Sequence, residues 1–219
     1  GKGSIPGSIE PEMEPQDYSR DRLFVYLEKE NEKSEFISAL KSAGHPVLSL
    51  HIAKDEDLAG QFYLWEIAVA TACSIIGVNS FDQPDVQDAK MGTLAGLVAY
   101  KKTGSLPYVT PSFQFEKMNI LSELPDDLKE SKRLPELIEK ILQKQAINTD
   151  YIAINAFLPK NEKNERLLQE FRRRLGEKFR LPTTLGFGPR YLHSTGQLHK
   201  GGPNTGFFLL ITAQRKVDL

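Results

Sequence analysis

Cysteine is almost missing from this sequence: Cys73 is the single one in 219 residues. That excludes a disulfide framework and a cysteine-built metal site within one chain, and a lone thiol in an apolar helical run reads as a buried structural group. Charge of one sign is missing too. The 28 basic and 29 acidic residues leave a formal net charge of −1, so no global positive field draws the chain to nucleic acid or a membrane surface. No uncharged apolar run reaches the roughly 18 residues of a membrane-spanning helix, and no signal peptide is evident. These absences together predict a cytoplasmic protein. The opening GKGSIPG lacks an initiator methionine, and the expectation is a fragment of a longer polypeptide. No internal repeat is present.

What remains is an ordinary globular composition, long enough for one large core. Residues 1–20 carry Gly, Pro, Glu and Ser with little apolar pattern and read as an extended arm that packs on the parent protein. Residues 21–219 read as one domain. Leu23 to Leu27 is a compact apolar run, hence a buried strand. Ser34 to Ala43 has helical spacing and closes at Gly44. Val47 to Ile52 is a second strand, which completes a parallel β-α-β unit. Asp57 to Ile76 predicts a long helix, apolar nearly all round and therefore buried on most sides; Glu66 within it is either a helix-edge carboxylate or one that orients a site lysine. The aromatic-rich stretch Gly104 to Leu124 reads as an irregular packed excursion. Asp126 to Gln145 is helical, with Pro135 near its start or at a kink. Tyr151 to Leu158, Pro182 to Leu185 and Phe207 to Thr212 give three more strands. Between the first two runs the amphipathic helix Asn161 to Phe179, whose Arg172, Arg173 and Arg174 point about 100° apart and read as a solvated face. Five strands alternating with helices predict an α/β fold, a doubly wound and mostly parallel five-stranded sheet in a three-layer sandwich.

Two stretches carry chemistry. Gly77 to Lys90, GVNSFDQPDVQDAK, leaves one helix and starts another. Asp82 is a natural N-cap, and Pro84 suits a first helical turn. Gln83 and Lys90 lie seven residues apart, nearly two helical turns, and so share a side. An amide and an ammonium aimed together suit a ligand of hydroxyls and oxyanions; read plainly, Lys90 is a solvated helix lysine. The second stretch, GFGPRYLHSTGQLHKGGPNTG from Gly186 to Gly206, leaves the carboxyl end of a strand, where ligands bind in open α/β sheets. It holds Arg190, His193, Ser194, Thr195, Gln197, His199 and Lys200. Its glycines permit close backbone approach. Pro189 and the spacing break a dinucleotide fingerprint, and two histidines six apart without nearby carboxylate or cysteine partners make no convincing metal site. The plain alternative is a glycine-rich loop with incidental polar groups.

Phe81, Asp82, Gln83, Val86 and Lys90 resemble the signature of the phosphoglucose isomerases, and YLHSTGQLHKGG resembles the histidine-bearing segment of the bacterial type of that family, with His193 as the matched histidine. Most of Leu23 to Thr212 is similar to the isomerase half of bifunctional transaldolase/phosphoglucose isomerase fusions, in which the histidine segment follows the lysine signature, as here. The resemblance implies a phosphosugar-binding (SIS) fold and interconversion of glucose 6-phosphate and fructose 6-phosphate through an enediolate, with no cofactor and no metal. It implies His193 in ring opening, assisted by Lys90, with Gln83, Ser194 and Gln197 on the substrate. Imidazole, with an unperturbed pKa of about 6.5, exchanges protons near neutrality, whereas an ammonium acts mainly as a fixed cation. It also implies missing parts: the family's catalytic glutamate, in a Glu-Ser-x-Gly-Lys run expected just upstream of Gly1, a second SIS subdomain, and the transaldolase. A homodimer fits the family, in which the histidine can act across a subunit interface. The competing expectation is a non-catalytic, phosphosugar-binding regulatory module on the same fold.

Overall fold

The computed structural model describes residues 10–29, 34–82, 84–105, 111–115, 118–121, 131, 133–145, 150–193 and 195–213; the side chains of 84–86, 145 and 197 lie outside that description. The chain divides into two units. One joins Gly1–Asp82 to Tyr151–Leu219, and the other is Gln83–Asp150.

The first unit opens on a 3-10 turn, Pro15–Asp17, then runs β1 (Phe24–Lys29), α1 (Glu35–Ser42) and β2 (Val47–Ile52). Ser34 caps α1 by accepting from the Ile37 amide, and Gly44 takes φ of 85° just past its end, a left-handed conformation natural to glycine. β1 and β2 pair in parallel from Phe24 opposite Val47 to Lys29 opposite Ile52, as a short helical crossover requires.

After residue 150 the chain builds a second βαβ unit with a further strand. β5 (Tyr151–Phe157) lies between β6 (Thr183–Phe187) and β7 (Gly206–Thr212), parallel to both. α5 (Glu162–Phe179) crosses from β5 to β6, capped by the Asn161 side chain, and α6 (Gly196–Gly201) lies on the way to β7. Every residue of β5 except Phe157 is buried. Alternation sorts its side chains between two layers. Ile152 and Ile154 share a face with Thr183, which α5 covers through Arg172, while Tyr151 and Ala153 face the other way and form a core with Leu198 of α6.

The expected five-stranded sheet does not form among the described residues. The five predicted strands are present, but they pair as two and three. The start of β6 gives a physical reason. The Ile152 amide donates to the Pro182 carbonyl, so the backbone groups of Thr183 point away from β5, toward the outer edge. Both are taken by side chains: the Thr183 amide donates to Glu10 Oε1 at 2.8 Å, and its carbonyl accepts from Arg172 Nη2 at 2.5 Å. A ladder has no free groups to begin on there.

Glu10 belongs to the segment read as an arm. Residues 10–18 are tied into this chain. Met13 and Tyr18 are buried with Leu40, against Phe24, Phe36, Ile37 and Val47. The Tyr18 ring meets Phe24 edge-on at 5.0 Å, and its hydroxyl accepts from the Met13 amide at 3.0 Å. Arg172 also departs from the solvated reading of the arginine run. It is 1% exposed, and its Nε donates to the Thr183 hydroxyl, whereas Arg173 and Arg174 stay on the surface with Glu170.

α2 (Asp57–Ile75) forms where the apolar run predicts a helix, but none of its residues is buried, and Phe62, Tyr63 and Ile75 are 66%, 68% and 80% exposed. A helix apolar on every face has no single face to lay on a sheet, and burying it takes neighbours all round. By length and composition alone it would suffice to cross a membrane. Cys73 within it is a half-buried free thiol.

The second unit holds α3 (Pro84–Thr103), a short antiparallel pair β3 (Phe113–Phe115) and β4 (Met118–Ile120), and α4 (Leu134–Gln145). The pair falls in the stretch read as irregular. Pro135 sits in the first turn of α4, where its missing N–H is harmless, and Leu137 and Leu142 of that helix are buried.

Candidate functional site

The signature stretch runs from the end of α2 into α3. Gly77 takes φ of 69° just after α2, and the Phe81 amide donates to Asn79 Oδ1 at 3.0 Å. Phe81 and Asp82 are exposed, and Lys90 is exposed on α3. Glu66 is exposed on α2. Gln83 lies outside the described residues. Lys90 belongs to the Gln83–Asp150 unit and His193 to the other.

The histidine segment is built on the carboxyl end of β6. After Phe187 comes a turn with a cis Gly188–Pro189 bond, then a 3-10 turn, Arg190–His193, and α6. The 3-10 turn folds back over β6 because Gly186 leaves room for it. A Cβ at Gly186 would stand 2.6 Å from the Tyr191 Cβ and 2.8 Å from its Cγ. Tyr191 also meets the Phe157 ring edge-on at 6.0 Å. His193, at the end of this turn, is exposed. Gln197 falls on α6, and Ser194 lies outside the described residues.

Behind this segment lies a group of residues that spacing did not single out. His199 of α6 is stacked on Tyr151 at 5.9 Å and 16°, meets Phe208 edge-on at 5.2 Å, and tilts against Tyr191 at 6.0 Å. Its Nδ1 lies 3.2 Å from the Tyr151 hydroxyl. Burial holds the imidazole below its ordinary pKa and lifts the Tyr151 and Tyr191 hydroxyls above theirs. All three are therefore neutral near pH 7. Three buried polar atoms in this layer have no hydrogen-bond partner among the described residues: His199 Nε2, Asn155 Oδ1 and Thr184 Oγ1. Asn155 and Thr184 share the sheet face of Tyr151, one from each of two adjacent strands. The signal that could have found them is the alternation of β5, which puts a tyrosine and an asparagine on a face that the histidine segment must cross.

The layer offers an imidazole, phenols, an amide and a hydroxyl, with aromatic rings between them. With Tyr151, Asn155 and Thr184 only 1%, 5% and 6% exposed, this set is a covered layer beneath the histidine segment rather than an open binding surface. Among the described residues no group of three or more His, Cys, Asp or Glu is placed to hold a metal ion. Compared with known proteins, the chain matches no family model, no curated protein and no solved structure.

Proposed function

We propose that this chain is the C-terminal SIS-type subdomain of a cytoplasmic glucose-6-phosphate isomerase, part of a transaldolase fusion, acting on phosphosugars without a cofactor. One observation carries the reading: two unlike motifs, FDQPDVQDAK and LHSTGQ, stand in one chain in the fusion family's order. Their settings support it, since the first leads into a helix and the second follows a parallel strand. In the mechanism, the exposed His193 imidazole transfers a proton with the ring oxygen as the sugar opens. Lys90 stabilises the oxygen that gains negative charge, and Gln83, Ser194 and Gln197 hold hydroxyls. Proton transfer between C2 and C1 then needs a carboxylate base. No Glu-Ser-x-Gly-Lys run occurs in the 219 residues, and the base comes from outside them in this reading, as does the second SIS half that binds phosphate. The same motifs also fit a second reading, a regulatory module that binds sugar phosphates without turning them over.

The test is a coupled assay with fructose 6-phosphate on the 219-residue chain and on the longer polypeptide that contains it, with a circular dichroism spectrum of each. The chain alone folds and shows no useful turnover, and the longer polypeptide turns over in the ordinary range of about 1–10³ s⁻¹. Ordinary turnover by the chain alone would mean a base within it. Binding of sugar phosphate by the longer polypeptide without turnover would select the regulatory reading.

A further inference from the structure

The sequence left His199 without a role. It sits in the same segment as His193 but differs from it in every physical respect. His193 is exposed at the end of a 3-10 turn, whereas His199 is half-buried with its Nε2 fully covered, enclosed by Tyr151 of β5, Tyr191 of the 3-10 turn and Phe208 of β7. Tyr191 stands two residues before His193. A displacement of the His199 ring is therefore passed to the turn that carries His193 through a direct ring contact.

The contact with Tyr151 also ties the imidazole to the central strand. Tyr151 is 1% exposed, and its one described hydrogen-bond partner is His199 Nδ1. The hydroxyl and Nδ1 share one hydrogen bond, and which of them donates follows the tautomer of the ring. The titratable groups on the described rings facing the imidazole are the two tyrosine hydroxyls, both of which burial keeps neutral.

We infer that His199 is a positioning residue. It shares a hydrogen bond with the Tyr151 hydroxyl through Nδ1, wedges Tyr191 against Gly186, and so holds the 3-10 turn with His193 at a fixed place over the carboxyl end of β6. The catalytic part of this inference rests on the isomerase reading, in which His193 meets the substrate; the geometric part does not.

Two variants separate the bond from the bulk. His199→Asn keeps an acceptor where Nδ1 stands, and His199→Phe keeps a flat ring but offers none. Nitrogen-15 NMR of the 219-residue chain should show His199 in one neutral tautomer near pH 7, and Tyr151→Phe should abolish that tautomer preference. Amide exchange across α6 should quicken in Tyr151→Phe and His199→Phe and stay near wild type in His199→Asn. In the longer polypeptide, His199→Phe should lower kcat on the order of 10²-fold with KM little changed, the scale expected when a reacting group is misplaced by about 1 Å. His199→Asn should recover most of the loss. Tyr151→Phe should match His199→Phe, and the double variant should be no worse than either. A His199 ring that populates both neutral tautomers freely, or equal damage from the Asn and Phe variants, would overturn the inference. Should the longer polypeptide show no isomerase activity, the isomerase reading fails, and the tautomer and exchange measurements still decide the positioning role.

Discussion

Removing the Glu10 carboxylate tests the claim that a segment near the start of the chain seals the edge of β6. Its Oε1 accepts from the Thr183 amide and hydroxyl, both at 2.8 Å, and its Oε2 accepts from Arg22 Nη1 at 2.6 Å. The Arg22 and Glu10 side chains are 11% and 12% exposed. In Glu10→Ala the guanidinium loses its only described carboxylate, and the Thr183 amide is left facing outward without an acceptor. Breaking a buried ion pair by removing one partner costs about 3–5 kcal/mol, and water reaching this slightly open site reduces that toward the lower figure. The carboxylate's pull on Arg172 goes as well, and Arg172 pays for its burial in a lowered pKa. We expect a loss of about 3 kcal/mol. Glu10→Gln, which keeps an acceptor for Thr183, should lose about half as much, the value of one hydrogen bond to a charged group. Urea titration of the chain, followed by far-ultraviolet circular dichroism, measures both: the midpoint should fall while the slope holds. A Glu10→Ala midpoint within the equivalent of about 0.5 kcal/mol of wild type, the ordinary surface range, would refute the edge-sealing role.

Three further outcomes are expected. On the isomerase reading, Lys90→Ala and His193→Ala, made in the longer polypeptide that reading implies, should each lower turnover by roughly 10²- to 10⁴-fold with little change in thermal midpoint, since both are exposed; near-normal turnover in a coupled assay would remove that residue from the mechanism. Gly186→Ala should destabilise the chain by about 1–3 kcal/mol and loosen the turn bearing His193, because the added methyl meets Tyr191 at 2.6 Å; an unchanged urea midpoint would show that the turn moves aside freely. His199 has a lowered folded-state pKa, so below its unfolded value of about 6.5 the unfolded chain binds the extra proton more readily. Stability should fall as pH drops through that value, and His199→Asn should flatten this part of the profile in urea titrations between pH 5 and 8.

Local signals were read well where they act locally. The helices expected at 34–43 and 161–179 form, Gly44 closes the first of them, and the apolar runs read as strands at 47–52, 151–158 and 207–212 are strands to within a residue. Long-range pairings were not legible. Glu10 looked like one more polar residue in a Pro- and Gly-rich start, and nothing near it names Thr183 as its partner. Arg172 looked like its neighbours, yet one step of 100° carries it from solvent to the sheet. The sheet was drawn as one because strand signals say nothing about which edges are already occupied. α2 reads as a core helix by composition and has no buried residue, since composition states what a surface wants and not what is next to it. Of the candidate site, the motifs name His193 and Lys90, which fall in two different units of the chain. Tyr151, Asn155 and Tyr191 went unremarked because their roles arise from register between strands and a turn.

The central place of β5 has a consequence for how the chain is made. One of its edges meets β6 through Ile152 opposite Thr183, across α5; the other waits for Gly206, which is much later in the chain. Closing the longer loop costs little more in free energy, since loop entropy grows slowly with length. The delay is one of synthesis. While residues after 200 are still in the ribosome, β5 presents an open edge of apolar sequence, YIAINAF, whose backbone groups on one side have no partner. Such an edge is a template for pairing with another nascent chain. Nascent chains stalled before Gly206 should therefore self-associate, while those carrying β7 should not.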